Sequence, residues 1–310
     1  MSDARASVAA NTTTTEGGSY TEKKIRLTVT RGQGVFASSK TNTIVFEGLR
    51  IQFQGLMAQG TEEGTGQMKS TTAVFGLPES DMNDLYFVGD PGELAAPFSS
   101  MLVEAGDDET GMMFVHHGQI INAAQDFNAQ PDAAFVIDTQ AGYDMQTTLI
   151  GPSSYDKGVP VSVVLKDMAK RAALNYVDQG IQDGPTTGVY EAHAARDQIA
   201  AICTHYNIGS QIEGGTLYVW DKKAGRSGEI PTISAQTGLM GYPVRRSNQV
   251  SFRCLFNPKV RYNGPVRLDS IITQVNGLWF PSMVQVTLQS QTPGGFWMMD
   301  VAAQRLLQPY

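Results

Sequence analysis

The chain has 310 residues, enough for two or three domains, with 41% apolar and 17% charged residues and a net charge of −7 that argues against a broad cationic surface for nucleic acid. No apolar run approaches the roughly 20 residues that a membrane-crossing helix needs, so no membrane anchor is expected. The 32 glycines and 14 prolines favour many short strands joined by turns over a helical bundle.

The opening MSDARASVAANTTTTEGGSYTEKK lacks the hydrophobic centre of a signal peptide, and its small polar residues bury too little surface to order themselves. Residues 1–22 are therefore expected to be a flexible arm. From Lys24, KIRLTVT puts Ile25, Leu27 and Val29 on one face of a strand. TIVFEGLRIQFQGL continues with Val45, then Leu49, Ile51 and Phe53 after an irregularity at Gly48. STTAVFGL predicts another strand, and PESDMNDLYF a short helix with Met82 and Leu85 on one side. MLVEAG and MMFVHHGQIINAAQDF are two strands across the acidic turn GDDET, and DAAFVIDTQAG and MQTTLI close a β-rich region near residue 150.

The period then changes. VSVVLKDMAKRAALNY (161–176) has Val161, Val164, Leu165, Met168, Ala172 and Tyr176 at helical spacing, and AHAARDQIAAICTHYN has Ala195, Ile199, Ile202, Cys203 and Tyr206. GGTLYVWD is a strand. After the loop KAGRSGEIP, the segments SFRCLFNP, VRLDSIITQV, LWFPSMVQVTLQS and GFWMMDVAAQ predict further strands separated by NGP, NG and PGG turns. The expected units are an arm (1–22), a first β-rich domain (23–152), a small α+β domain (153–225) and a second β-rich domain (226–310). Neither β-rich region contains crossover helices, so antiparallel barrels or sandwiches are expected.

Candidate chemistry is sparse. His116 and His117 are adjacent in a strand, so they face opposite ways and cannot share a metal; the first is expected to pack inside and the second to face solvent or a neighbour. Cys203 and His205 lie on different sides of a helix, which excludes a nucleophile pair. No G-x-S-x-G elbow is present, and TRGQG and GDPGE are not phosphate-binding loops. Cys203 and Cys254 are expected to be reduced, buried thiols. Trp279, Phe280, Phe296 and Trp297 suggest core plus interface, or a ligand platform. Arg245–Arg246, expected in a loop, is equally consistent with a partner contact or a solvated turn. No catalytic, cofactor-binding or metal-binding residue is singled out.

The C-terminal third contains Thr237–Gly238–Leu239 with Gly241 and Pro243, Leu255–Phe256–Asn257–Pro258, Gly264 with Val266, Leu268 and Ser270, and Pro293–Gly294–Gly295 with Trp297. Earlier come IVFEGLRIQF, AVFGLPESDMNDL, EAGDD and GQIINAAQDF, in this order. Over residues 24–300 this series resembles the baseplate hub proteins of contractile bacteriophage tails; the N-terminal arm has no counterpart in it. The resemblance implies a fold that is mainly β with a small α+β part, in which two tail-tube-like antiparallel β-barrel domains flank a small α+β domain. It also implies a homotrimeric virion protein without catalysis or cofactor, assembled in the host cytoplasm. Such a hub adapts the sixfold tail tube to the threefold central spike, contacts other baseplate proteins, and lets DNA pass without specific binding. Arg245, Arg246, Trp279 and Trp297 are its candidate subunit or partner contacts. The alternatives are a tail-associated polysaccharide- or peptidoglycan-degrading enzyme, which needs a carboxylate pair in a cleft, and a carbohydrate-binding module using Trp279 and Trp297.

Overall fold

Strand β1 (Lys24–Thr30) shows how alternation becomes structure: Ile25, Leu27 and Val29 are buried, and the residues between them are half-exposed. The computed structural model describes residues 21–59, 65–88, 98–126 and 133–306; most of the expected arm and all of GDPGE lie outside the described residues. After β1 come β2 (Thr43–Phe46), β3 (Arg50–Gln59), β4 (Thr65–Phe75), α1 (Glu79–Val88), β5 (Ser100–Asp107), β6 (Gly111–Asp126) and β7 (Ala134–Gln140). The middle holds β8 (Ser153–Tyr155), α2 (Val161–Arg171), β9 (Asn175–Asp178), β10 (Val189–Glu191), α3 (Ala195–His205), β11 (Ile208–Glu213) and β12 (Thr216–Asp221). Strands β13 (Thr232–Ile233), β14 (Leu239–Arg246), β15 (Gln249–Leu255), β16 (Val266–Leu268), β17 (Gly277–Gln289) and β18 (Trp297–Gln304) complete the chain.

The fold is mainly β. Its principal sheet follows the order β14-β15-β18-β17-β3-β4-β7-β6-β5-β1-β2, antiparallel throughout. Gln52–Ala58 of β3 pair with Met283–Gln289 of β17, so the two β-rich regions share one sheet. Among the described residues the path stays open, with free ends at β14 and β2, and no pairing closes it into a barrel. The two β-rich regions expected as barrel domains are thus joined in one continuous antiparallel sheet. Alternation identifies a strand and its faces, but the partner of a strand more than two hundred residues away is not written into it.

The sheet is kept regular by turns and bulges. Gly48 takes a left-handed φ of +73° in the short link between β2 and β3. The pairing Leu27↔Phe46 then buries Phe46 and turns Val45 outward, opposite to the expected phase. In β6, His116 faces Val103 and Phe114 faces Glu104, leaving Val115 as the extra residue of a bulge. Val115 and His116 are consequently both buried. Pro281 sits inside β17 where the register to β18 shifts between Pro281 and Met283, a bulge that removes the need for its missing N–H.

The α+β unit has its own core, with Val164, Leu165 and Met168 of α2 packed among Ile199, Ile202 and Cys203 of α3 and Leu217 and Val219 of β12. Helix α2 ends at Arg171 rather than at Tyr176: Ala173 takes a left-handed φ of +56°, and Asn175 N–H donates to the Gly215 carbonyl at 3.0 Å, drawing Tyr176 into β9. MQTTLI forms a single 3₁₀ turn over Asp144–Gln146 and one bridge, Leu149 to Ala194, instead of a strand. VRLDSIITQV keeps only Val266–Leu268 as strand. The unit joins the main sheet where β11 runs parallel to the start of β4, Ser210 opposite Thr65 and Gln211 opposite Gly66. The second, larger core runs from Ile25 through Phe53, Phe135 and Trp220 to Ala303 and so spans both β-rich regions.

Candidate assembly face

One face of the main sheet covers the large core; the other is open. Following direct cross-strand partners, the open face runs from Asn122 (β6) through Asp138 (β7) and Thr71 (β4) to Gln54 (β3), whose partner Thr287 (β17) is buried. A second row runs through Lys69, Leu56, Gln285, Asp300 and Arg253. These are the polar phases of strands whose apolar phases, such as Ile51, Phe53, Val284 and Val286, fill the core. A shallow depression of about 450 Å³ lies among Gln54, Leu56, Lys69, Thr71, Asp138 and Gln285.

Within these two rows the charges cancel. Arg253 donates to Asp300 from Nε at 2.8 Å and from Nη2 at 3.1 Å, a two-point pair on neighbouring strands. The Asp138 carboxylate accepts from Thr71 Oγ1 at 2.6 Å and from Asn122 Nδ2 at 3.0 Å. With Lys69 they make two positive and two negative groups, while the whole chain carries −7. The excess acid therefore lies elsewhere, some of it in the Asp107–Asp108–Glu109 turn, where Asp107 meets Lys23 at 2.5 Å and Asp108 meets Lys24 at 2.7 Å.

The histidine pair belongs to the architecture. His116 is 2% exposed and its Nε2 shares a hydrogen bond of 2.8 Å with Thr139 Oγ1, which in turn bonds Ser70 Oγ at 2.7 Å. Burial first, and then the neighbouring charge of His117, hold its pKa down to about 3. His117 is half-buried opposite Leu102; burial lowers its pKa, and Asp144 opposes the shift. Among the described residues no three His, Cys, Asp or Glu side chains come together as a metal site. Cys203 and Cys254 are free, buried thiols, as expected, pushed by burial to about 11 and about 12 respectively.

The four candidate contact residues are not brought together. Trp279 is wholly buried, its Nε1 donating to the Val275 carbonyl at 2.7 Å with Arg305 stacked 4.8 Å above the ring, so it offers no surface in this chain. Trp297 is half-buried, edge-on to Phe256 at 6.1 Å. Arg245 and Arg246 are exposed and end the edge strand β14 instead of lying in a loop. Arg245 reaches the Gln274 carbonyl at 3.1 Å. Gly241 and Pro243 hide this strand from a periodicity reading, and the bulge between Met240 and Val244 accommodates them. The open face itself went unassigned because its signal, polar residues at alternate strand positions, is common to every half-buried strand.

Against known proteins, the model of the baseplate hub gp41 family matches residues 68–300. No curated protein sequence gives a significant match. Among solved structures, the tail protein from Neisseria meningitidis MC58 superposes with a TM-score of 0.60 at 8% identity, over 91% of this chain and 96% of that one. The 43 kDa tail protein of prophage MuSo2 from Shewanella oneidensis gives 0.57 at 8% identity, over 92% and 97%. The E. coli c3393 protein, a component of the type VI secretion system described as structurally similar to the T4 tail proteins gp27 and gp5, gives 0.53 at 7% identity, over 82% and 73%. At such identities these likenesses concern the fold alone, whereas the family match covers well over half of the chain. The chain belongs to the baseplate hub gp41 family, structural proteins of the bacteriophage tail baseplate.

Proposed function

We propose that this chain acts as a homotrimeric hub that adapts the sixfold tail tube to the threefold spike, and that the open face of its main sheet lines part of the channel through which DNA passes. The observation that carries the reading is the charge balance of the two cross-strand rows on that face. A surface presenting Gln54, Thr71 and Gln285, with Lys69, Asp138, Arg253 and Asp300 cancelling, gives a phosphate backbone neither a cationic trap nor a strong repulsive barrier. The two β-rich regions serve as two tube-like modules per subunit, so three subunits present six modules to the tube above and a threefold ring to the spike below. The α+β unit (153–225) has a separate core and stands outside the sheet path, which suits a role in subunit or baseplate contacts. Arg245, Arg246 and the open edge of Trp297 remain the proposed contact points. The protein works by assembly, without catalysis.

Light scattering over a range of concentrations tests the stoichiometry: the expected mass is three times 33.5 kDa. A monomer at all concentrations, persisting when tube and spike proteins are added, sinks the proposal. Gln54→Lys with Gln285→Lys tests the channel. Particles carrying both changes are expected to assemble normally and eject DNA more slowly, with a delay that shrinks at higher salt. Unchanged ejection kinetics remove the face from the channel.

A further inference from the structure

The loop 222–231, leading out of β12, buries Arg226 to 3% exposure. Its guanidinium stacks 4.8 Å from the Tyr218 ring and 5.3 Å from the Trp220 ring. Nε donates to Gln179 Oε1 at 2.7 Å and Nη1 to Gln211 Oε1 at 2.8 Å, while Nη2 has no hydrogen-bond partner among the described residues. Both acceptors are neutral amides. A buried guanidinium with neutral acceptors and an orphan donor is an incomplete arrangement, because desolvation of the charge is offset only by a counter-charge nearby. Burial depresses its basicity; Glu213 acts against this and the charge of Arg261 adds to it.

Arg226 also lines a recess of about 160 Å³ between the loops 222–231 and 257–265. The other charged groups there are Arg261, Lys259 and Glu229. Glu229 is bonded to Lys259 at 2.7 Å, so no carboxylate lining the recess is paired with either arginine. Among the described residues Arg261 donates only to the Pro258 carbonyl, at 3.4 Å. Gly228 and Gly264 stand in the walls, and a Cβ at Gly228 meets nothing within 4 Å, so the recess has room.

We propose that this recess binds one small oxyanion, a phosphate or a carboxylate, through Arg226 and Arg261 at the joint between the α+β unit and the C-terminal strands. The anion gives the two guanidiniums a directly bonded counter-charge, which Glu213 does not, and ties the two loops together. A water molecule is able to satisfy an orphan N–H but cannot balance two cations. Free phosphate and a carboxylate side chain of a neighbouring baseplate chain are the two sources of this chemistry.

The test titrates the full-length protein at constant ionic strength with sodium phosphate, sodium acetate and, as reference, sodium chloride, following heat of binding and thermal midpoint. A saturable rise in midpoint with phosphate or acetate, beyond that with chloride, is expected. Arg261→Gln, a change at an exposed side chain, is expected to weaken binding about tenfold or more while leaving the anion-free midpoint near that of the parent. A phosphate response assigns free phosphate, and a response to acetate alone assigns a protein carboxylate. Equal effects of all three salts, no saturable response, or an unchanged affinity in Arg261→Gln overturns the proposal.

Discussion

His116 gives the sharpest test of the core. Its imidazole lies between β5 and β7, bonded to Thr139, and burial holds its pKa at about 3 against 6.5 when exposed. Between those two pH values the unfolded chain binds a proton that the folded chain refuses. The native state is therefore at its full advantage above pH 6.5, and stability falls as pH drops toward 3. The slope from this one group reaches about 1.4 kcal/mol per pH unit, and the full span amounts to at most about 5 kcal/mol, comparable with the whole stability of many domains. His116→Gln keeps a polar group within reach of Thr139 but cannot titrate. Urea unfolding at a series of pH values should give the variant a lower stability near neutrality and a shallower loss on acidification. The gap between the two proteins narrows as pH falls from 6.5. Carboxylates held down by partners, such as Glu47 beside Arg26, contribute equally to both proteins and cancel in the difference. Parallel pH slopes for parent and variant would refute the argument that a neutral, buried imidazole is part of the core.

Asp84 of α1 accepts from the Ala37 and Ser38 N–H groups at 3.1 and 2.9 Å; Asp84→Ala strands both donors and should cost about 2–3 kcal/mol, with faster amide exchange at residues 37 and 38. Gly106→Ala places a Cβ 1.9 Å from the Gly111 carbonyl oxygen in the β5–β6 turn, a backbone clash that should cost at least about 2 kcal/mol in urea unfolding; an unchanged midpoint contradicts it. Trp279→Phe leaves the Val275 carbonyl without its indole donor and opens a void, with an expected loss of about 2 kcal/mol. Native protein at mildly alkaline pH should resist iodoacetamide at Cys203 and Cys254, since burial raises both thiols, and should take two labels once unfolded; rapid native labelling shows that the cores open.

Much of the fold was legible where local pattern and environment agree. KIRLTVT, PESDMNDLYF and the stripe Ile199–Ile202–Cys203 read correctly because each buries one face at the period of its own element. The family likeness rested on short motifs in a fixed order and needed no register. Errors arose where a single backbone feature decides the outcome: Ala173 in the left-handed region ending α2, the Leu27↔Phe46 register turning Val45 outward, Pro243 masking β14. The open face required knowing that β3 meets β17, and no residue in either strand announces that partner. Arg226 was invisible for a different reason, since a lone arginine in a glycine-rich loop looks solvated until the indole and amides packed around it are seen.

The β3–β17 pairing also fixes the order of events during synthesis. Until the ribosome has delivered residues 283–289, strand β3 has β4 on one side and nothing on the other. At about 5–20 residues per second, the interval from Ala58 to Met283 lasts between about ten and fifty seconds. Throughout it the nascent chain carries an unsatisfied, apolar-backed strand edge able to pair with any other copy on the same message. Yield of folded hub should therefore depend on translation speed and chaperone supply across the middle of the chain, and supplying the C-terminal strands on a separate polypeptide should rescue, in part, a chain truncated before Gly277.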